Sequence, residues 1–488
     1  MRRALLAVLA LIVAVVGTAL FRASSLKPAP ALTAGTIAIP ALPSADSSAA
    51  HLSAAVRFQT VTISETAPPP AAALDSMRGW MERTYPLAHK AMSREQIDGY
   101  SLLYKLTGKD AALAPIVLMG HMDVVPVEAG TETNWKHPPF SGAVADGEVW
   151  GRGSLDDKVN VVGLMEAIEA MLAGGFQPDR TIYIAFGHNE EVLGSGAKAI
   201  ADTLRARGVR PALVLDEGGA ILSEGLGLKR PAALVGVGEK GFMSVQLEVK
   251  SAGGHSSSPP PQTATGILAR AVANVQERPL PRRLTPPVRS MIAAMAPEMG
   301  GAAKVVLGNL WLTKPLVLAQ FGKKPETDAM LRTTTAPTML QGSAKENALA
   351  ARATAVINYR LLPGDSREDI LAHVRRAVDD PRVNVSAYST GAEPSTLSRP
   401  EGPAWAALSR AVGAVDTNTV MIPWLTTGGT DARYYSGMSD AVYRFSALVT
   451  SPAAMTLAHG MNERVSVAGF AGVVRFYARI IAEGGARW

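Results

Sequence analysis

The feature that most constrains this chain is the stretch 116–158, where I-V-L-M-G-H-M-D is followed further on by W-G-R-G-S-L-D-D-K. Ile116 to Met119 form a short, continuous apolar run that stops at Gly120. That pattern predicts a buried strand delivering His121 and Asp123 at its carboxyl end, where α/β proteins hold ligands. In His-x-Asp the carboxylate can orient the second ring nitrogen of the imidazole. Val149 and Trp150 suggest another strand, broken by Gly151 and Gly153 ahead of Asp156 and Asp157. Taken singly these fragments are commonplace, a surface His-x-Asp and a solvated Asp-Asp-Lys at a helix start. Their order raises the question of where further ligands lie.

Three more acidic or basic groups sit at comparable places. The strand-like run 181–186 leads into G-H-N-E-E, ending on Glu190 and Glu191, with Gly194 and Gly196 next. Adjacent carboxylates at a strand end repel unless a cation or a proton compensates. The run 212–215 ends in Asp216-Glu217-Gly-Gly, and H-G-M-N-E-R from His459 comes just before the last amphipathic stretch. There is no cysteine, so any metal must be held by His and carboxylates. Three strand tips and one late loop thus supply His, Asp, Glu, Asp and His, a donor set suited to two zinc ions sharing a bridging carboxylate.

Around these motifs the chain reads as an α/β protein with a mostly parallel sheet and an insert. At 488 residues, 47% hydrophobic and 18% charged, it is globular and long enough for two or three domains. Helical patterns at 159–172 and 197–207 alternate with the strand runs and stop at glycine. After Gly236 the character changes: Val245, Leu247 and Val249 alternate with polar residues, 353–361 does likewise, and Ser366 to Asp369 form a capping box. The expected organisation is an α/β domain at 51–237 and 393–488, with an inserted α+β domain at 238–392. Its middle, 281–340, is rich in Pro, Met and Leu and yields no assignment. G-V-G-E-K-G from Gly236 matches a dinucleotide fingerprint literally, but it opens a strand pattern instead of a helix and reads as a hinge.

At the start, Met1-Arg2-Arg3 precedes an uncharged run at 4–21, which as a helix would span about 27 Å, enough for a bilayer core. The positive start predicts an exported body. Residues 1–22 are read as a membrane anchor, with a cleaved signal peptide and a secreted product as the rival. The Pro-, Ala- and Ser-rich stretch 23–50 reads as a tether. A formal charge of +6 with 6% aromatic residues and no dense basic run gives no sign of a nucleic-acid module.

With these motifs in hand, the chain after residue 50 resembles metallopeptidase family 20, which includes carboxypeptidase S, aminoacylase and carnosinase. It is most similar to the carboxypeptidase S and N-acyl amino acid synthase/hydrolase branch, through N-W-K-H-P-P-F from Asn134, G-H-N-E-E from Gly187, L-D-E-G-G from Leu215, N-L-W-L from Asn309, R-T-T-T-A from Arg332, G-G-T-D-A-R from Gly428 and H-G-M-N-E-R from His459. The resemblance implies that His121, Asp156 and Asp216 hold one zinc and that Asp156, Glu191 and His459 hold the other, Asp156 bridging. Cobalt or manganese could substitute. Asp216 is preferred over Glu217, a choice open to a slip of one residue. Glu190 becomes the general base that activates water, and Asp123 orients His121. His255, in G-G-H-S-S-S-P, would bind the developing oxyanion, reaching in from a partner subunit of a homodimer made through the insert. Arg360 would grip a free substrate carboxylate. Asn347 would lie near the reacting carbonyl, although Ala350 replaces the family's proline after it. Gly428 and Gly429 would let the backbone approach substrate, with Thr430 nearby. The expected activity is hydrolysis of peptides or N-acyl amino acids bearing a free carboxylate. A dipeptidase, a deacylase of a biosynthetic intermediate and a non-catalytic binding module are the alternatives.

Overall fold

The computed structural model describes residues 1–488. A ten-stranded sheet forms its centre. Ile116–His121 lies in the middle of it, pairing in parallel with Ile182–Gly187 on one side and Leu213–Asp216 on the other. All three strands are buried along their length, which explains their unbroken apolar runs. Parallel pairing in this register, with His121 opposite Gly187, puts the three carboxyl ends at one edge. Val442–Arg444 continues the sheet in parallel from Leu213–Asp216, and Ala232–Glu239 and Val420–Thr426 extend it further. The strands Ser93–Ile97 and Ser101–Leu106 close the other side antiparallel.

Helices cover both faces. Lys158–Ala173 and Val467–Gly485 pack on one, in the largest apolar cluster, with Leu118, Leu164, Ile184, Leu215 and Phe476 fully or almost fully buried. Ser195–Ala206 packs on the other, against Val117, Met119 and Val214. A small three-stranded sheet pairs Arg464–Ser466 with Glu148–Trp150 and the latter with Ala143–Ala145, drawing the late His459 loop to the Asp156 loop.

The insert has its own four-stranded antiparallel sheet, ordered Thr334–Gln341, Arg352–Leu361, Gly241–Lys250, Val383–Ala387. Met243, Val245, Leu247 and Val249 face the helices Ala264–Glu277 and Arg367–Val378, and the Ser366 capping box is formed. The dinucleotide-like G-V-G-E-K-G joins two strands of different sheets, Ala232–Glu239 and Gly241–Lys250. Two departures from expectation stand out. The unassigned middle folds largely as helices, and Val288, Met291 and Ile292 of Pro286–Met295 pack with Ile422 and Leu425 of the central sheet, not on the insert's sheet. The expected tether is packed too: Leu32, Ile37, Ile39 and Leu42 lie against the main core, Leu32 N donates to Thr417 O at 2.8 Å, and a helix begins at Ala45. Its Pro and Ala content suits an extended strap as well as a linker. One helix, Arg2–Ser25, is long and apolar enough to cross a membrane.

Candidate metal centre and active site

The three strand ends and the late loop converge. His121 Nε2 lies 3.0 Å from Asp156 Oδ1 and 3.7 Å from Glu217 Oε1. His459 Nε2 lies 3.1 Å from both Asp156 Oδ2 and Glu191 Oε2. Asp156 therefore stands between the two imidazoles, one oxygen toward each. Ligand atoms of His121, Asp156 and Glu191 fall within 4.8 Å of one another, as do those of His121, Asp157 and Glu217. Of the two neighbouring aspartates, Asp157 is already engaged: its Oδ2 accepts the His121 N–H at 3.1 Å and its Oδ1 accepts the Asn160 amide. It shapes the turn, and Asp156 is the freer donor.

Asp123 supports both sides of this cluster. Its backbone oxygen and Oδ1 lie 3.1 and 3.3 Å from His121 Nδ1, while its carboxylate accepts the N–H groups of Glu190 at 2.9 Å and Glu191 at 3.2 Å. Thr62 Oγ1 donates to it at 2.7 Å. One buried carboxylate thus orients an imidazole and the acidic turn.

Asp216, expected as a ligand, has both carboxylate oxygens engaged. Its Oδ2 accepts the Ala432 N–H at 2.6 Å and its Oδ1 the Glu217 N–H at 3.0 Å. Alternation along the strand explains this. Val214 faces the cluster that contains Ala432, Asp216 shares that face two residues on, and Glu217 turns to the other side, toward His121.

Electrostatics follow from this crowding. Burial is the main reason that Glu190, Glu191, Glu217 and Asp157 have raised pKa values, with neighbouring carboxylates adding to it. Burial acts on Asp156 in the same direction, but hydrogen bonds from His121 and His459 outweigh it and hold Asp156 below the usual carboxylate range. Hydrogen bonds to Asp156 and Glu191 push His459 up to about 10. Asp431 is buried, its two carboxylate oxygens take no hydrogen bond, and burial with repulsion from Asp216 raises it well above its usual range. So many carboxylates around two imidazoles call for cations, and an all-nitrogen-and-oxygen donor set fits zinc or a similar divalent ion. Beside Asp156 and Glu217 opens an apolar recess walled by Leu155, Val159, Ala220, Leu448, Met455 and Ala458.

Other expected residues fall elsewhere. His255 sits exposed on the two-residue strand Gly254–His255, paired with Ala348–Leu349, and its Nδ1 meets Ser257 Oγ at 2.8 Å. Asn347 O accepts the Ser256 N–H at 3.1 Å, so these two insert residues adjoin each other. Neither makes a hydrogen bond to the metal cluster. Thr430 is buried and both its N–H and its hydroxyl donate to Glu239, at 3.2 and 3.0 Å. Its hydroxyl, expected near substrate, is engaged with Glu239. An added Cβ at Gly429 would lie 2.7 Å from Arg433 Nη1. Arg360 stacks over Phe242, and burial together with repulsion from Arg433 lowers its pKa. Arg433 escaped the sequence reading, although it closes the quoted G-G-T-D-A-R.

A mostly parallel sheet whose strand ends gather imidazoles and carboxylates, with a separate α+β lid, defines a metal-dependent hydrolase. The profile of "Peptidase family M20/M25/M40" matches residues 117–483, and the chain belongs to that family. It is 36% identical over 406 residues to "Probable carboxypeptidase S-like 2" of Dictyostelium discoideum, covering 82% of this chain and 78% of that protein. It is 34% identical over 439 residues to the "N-fatty-acyl-amino acid synthase/hydrolase PM20D1" of Xenopus tropicalis, covering 88% and 84%. Among solved structures, an M20 family metallo-carboxypeptidase from Sulfolobus solfataricus superposes with a TM-score of 0.68 at 16% identity, over 90% of this chain and 99% of that one.

Proposed function

We propose that this hydrolase cleaves the amide of N-acyl amino acids and short peptides that end in a free carboxylate. The supporting observation is Glu190, a half-buried acid whose pKa is raised by burial, on the turn that also brings Glu191 to His121, Asp156 and His459. In this reading His121, Asp156 and Glu217 hold one zinc, and Asp156, Glu191 and His459 hold a second. Such ions polarise the scissile carbonyl and acidify attacking water. Glu190 takes the proton from that water as its oxygen bonds to the carbonyl carbon. It then hands the proton to the amine nitrogen as the C–N bond breaks. Asp123 keeps the His121 imidazole and the Glu190-Glu191 turn in register. Arg360 and Arg433 together receive the substrate carboxylate, and the apolar recess by Asp156 takes the acyl chain or an apolar side chain.

His255 and Asn347 are the insert's contribution, delivered by closure or by a partner copy in a homodimer. The helix Arg2–Ser25 anchors the body on the far side of the membrane from the cytoplasm.

The test uses the zinc-loaded full chain on parallel panels of long-chain N-acyl amino acids and dipeptides, each with free and amidated carboxyl ends. Hydrolysis of the free acids, with a loss of ten-fold or more on amidation, is expected. Equal rates on the two forms would sink the carboxylate reading, and inactivity of the zinc-loaded protein on both panels would sink the substrate assignment.

A further inference from the structure

The N-L-W-L motif at 309–312 has no part in the active site, yet it is tightly built. Asn309 is fully buried at the break between helices Gly301–Gly308 and Leu310–Phe321, which bend by 113°. Its Nδ2 donates to Val305 O and to Ala19 O, each at 2.9 Å, and its Oδ1 accepts the Trp311 indole N–H at 3.0 Å. One side chain thus ends the first helix, fixes Trp311 and reaches the N-terminal helix. Two more bonds secure that junction: Lys304 Nζ to Leu26 O, and Ala29 N to Glu298 Oε1, both 2.7 Å.

The N-terminal helix buries only Ala19 and Ala23, so the rest of its apolar surface is free. Ala19 lies about 3 Å along the axis from Phe21, the last apolar residue before Arg22. The bent pair therefore meets the helix where its apolar span ends. At that level Leu310–Phe321 turns Val317 inward, into a cluster with Leu307, Val288 and Leu425. It turns Trp311, Leu312 and Leu316 outward, 55%, 45% and 47% exposed. Lys314, Lys323 and Lys324 flank them, also exposed.

We propose that Leu310–Phe321 is a second membrane contact, lying in the headgroup boundary with Trp311, Leu312 and Leu316 among the lipids. This rests on the reading of the N-terminal helix as an anchor. Tryptophan concentrates at that boundary, and an apolar helix face bordered by lysines lies in its plane and attracts anionic headgroups. The amino end of Leu310–Phe321 adjoins the anchor through the bond from Asn309 to Ala19. Through Pro286–Met295 it is braced on Val420–Thr426, the strand that leads to Gly428 and Arg433, so the bilayer contact fixes how the cleft stands over the membrane.

Because the chain contains no cysteine, nitroxide labels can be placed one at a time. Leu312→Cys, Leu316→Cys, Leu11→Cys and Glu346→Cys are made in the full chain, reconstituted into phosphatidylcholine–phosphatidylglycerol vesicles. Collision rates with oxygen and with a water-soluble nickel chelate are then compared. Labels at 312 and 316 should favour oxygen several-fold, as at 11, and the label at 346 should favour nickel. If 312 and 316 behave like 346 while 11 stays in lipid, the second contact is refuted and the anchor stands. If 11 itself is in water, the anchor fails and the contact with it. Dipolar broadening at 312 without oxygen preference would mean that a second copy covers this face, and would equally overturn the proposal.

Discussion

Glu463 Oε1 accepts the backbone N–H of Asp156 at 3.1 Å, so the loop that carries His459 also holds the loop that carries the carboxylate between the two imidazoles. The same oxygen accepts the N–H groups of Gly153 and Leu155, at 2.9 and 2.8 Å. Glu463 Oε2 pairs with Arg152 Nη1 at 2.6 Å, both side chains being buried. Arg152 in turn donates to His459 O at 3.0 Å, steadying a histidine whose φ is +62°, a region non-glycine residues seldom occupy.

Glu463→Gln should therefore harm the site without touching substrate. It leaves the Arg152 charge buried and uncompensated, which costs about 3 kcal/mol when the remaining hydrogen bonds persist. A lower thermal midpoint and reduced metal retention on dialysis are expected. Unchanged stability and metal content would remove Glu463 from this role.

The choice between Asp216 and Glu217 can be made by metal content. Glu217→Gln should lower bound zinc from two ions toward one per chain, read by elemental analysis of the dialysed protein. Asp216→Asn should keep both ions, because its amide oxygen can still accept one of the two N–H groups. The reverse pattern would restore Asp216 as the ligand.

Glu190 and Glu191 differ in role though adjacent. Glu190→Gln is expected to reduce kcat by about 10²–10⁴-fold, the scale of acid–base catalysis, with both metals retained. Glu191→Gln should instead lose metal. If Glu190→Gln sheds metal and Glu191→Gln keeps it, the roles are exchanged.

These assignments also mark how far the sequence was legible. The strands that end at or just before His121, Glu190 and Asp216 could be read because fully buried parallel strands are written as unbroken apolar runs. Which of Asp216 and Glu217 faces the cluster could not, since that depends on which side of the sheet Val214 packs. Arg152 and Glu463 lie 311 residues apart, and only the pairing of Glu148–Trp150 with Arg464–Ser466 brings them together. Residues 286–321 lacked a period because they serve two surfaces: Val288 and Val317 face the core, while Trp311, Leu312 and Leu316 face outward. The strap before Ala45 read as a tether because an extended segment needs only scattered apolar residues, such as Leu32 and Ile39, to dock.

The helix that follows this strap gives a pH prediction. His51 Nδ1 lies 2.5 Å from Glu166 Oε1, and Glu166 also accepts from Tyr85 OH at 2.8 Å and Ser48 Oγ at 3.2 Å. The hydrogen bond to Glu166 raises the His51 pKa above its ordinary value, against partial burial. A raised folded pKa means that the folded state binds the extra proton, so the stabilisation is complete below about pH 6.5 and is lost as pH rises through the folded value. The thermal midpoint should fall across that window, and His51→Gln should flatten this part of the profile. An identical slope in the variant would show that other groups carry it.

The last prediction concerns His255. It sits exposed on the insert, its imidazole bonded only to Ser257, so a donor role at the oxyanion requires movement or a second copy. A donor must come within about 2.7–3.1 Å of that oxygen. In a two-fold dimer each insert would lend His255 to the other chain's site reciprocally. The check mixes two inactive proteins, Glu190→Gln and His255→Ala, under conditions of demonstrated subunit exchange. In a mixed dimer one site combines Glu190 from the second protein with His255 from the first, so up to about half of the activity per site should return in that species. No recovery despite exchange would mean that His255 serves its own chain by closure of the insert. Full activity of a strictly monomeric preparation would lead to the same conclusion.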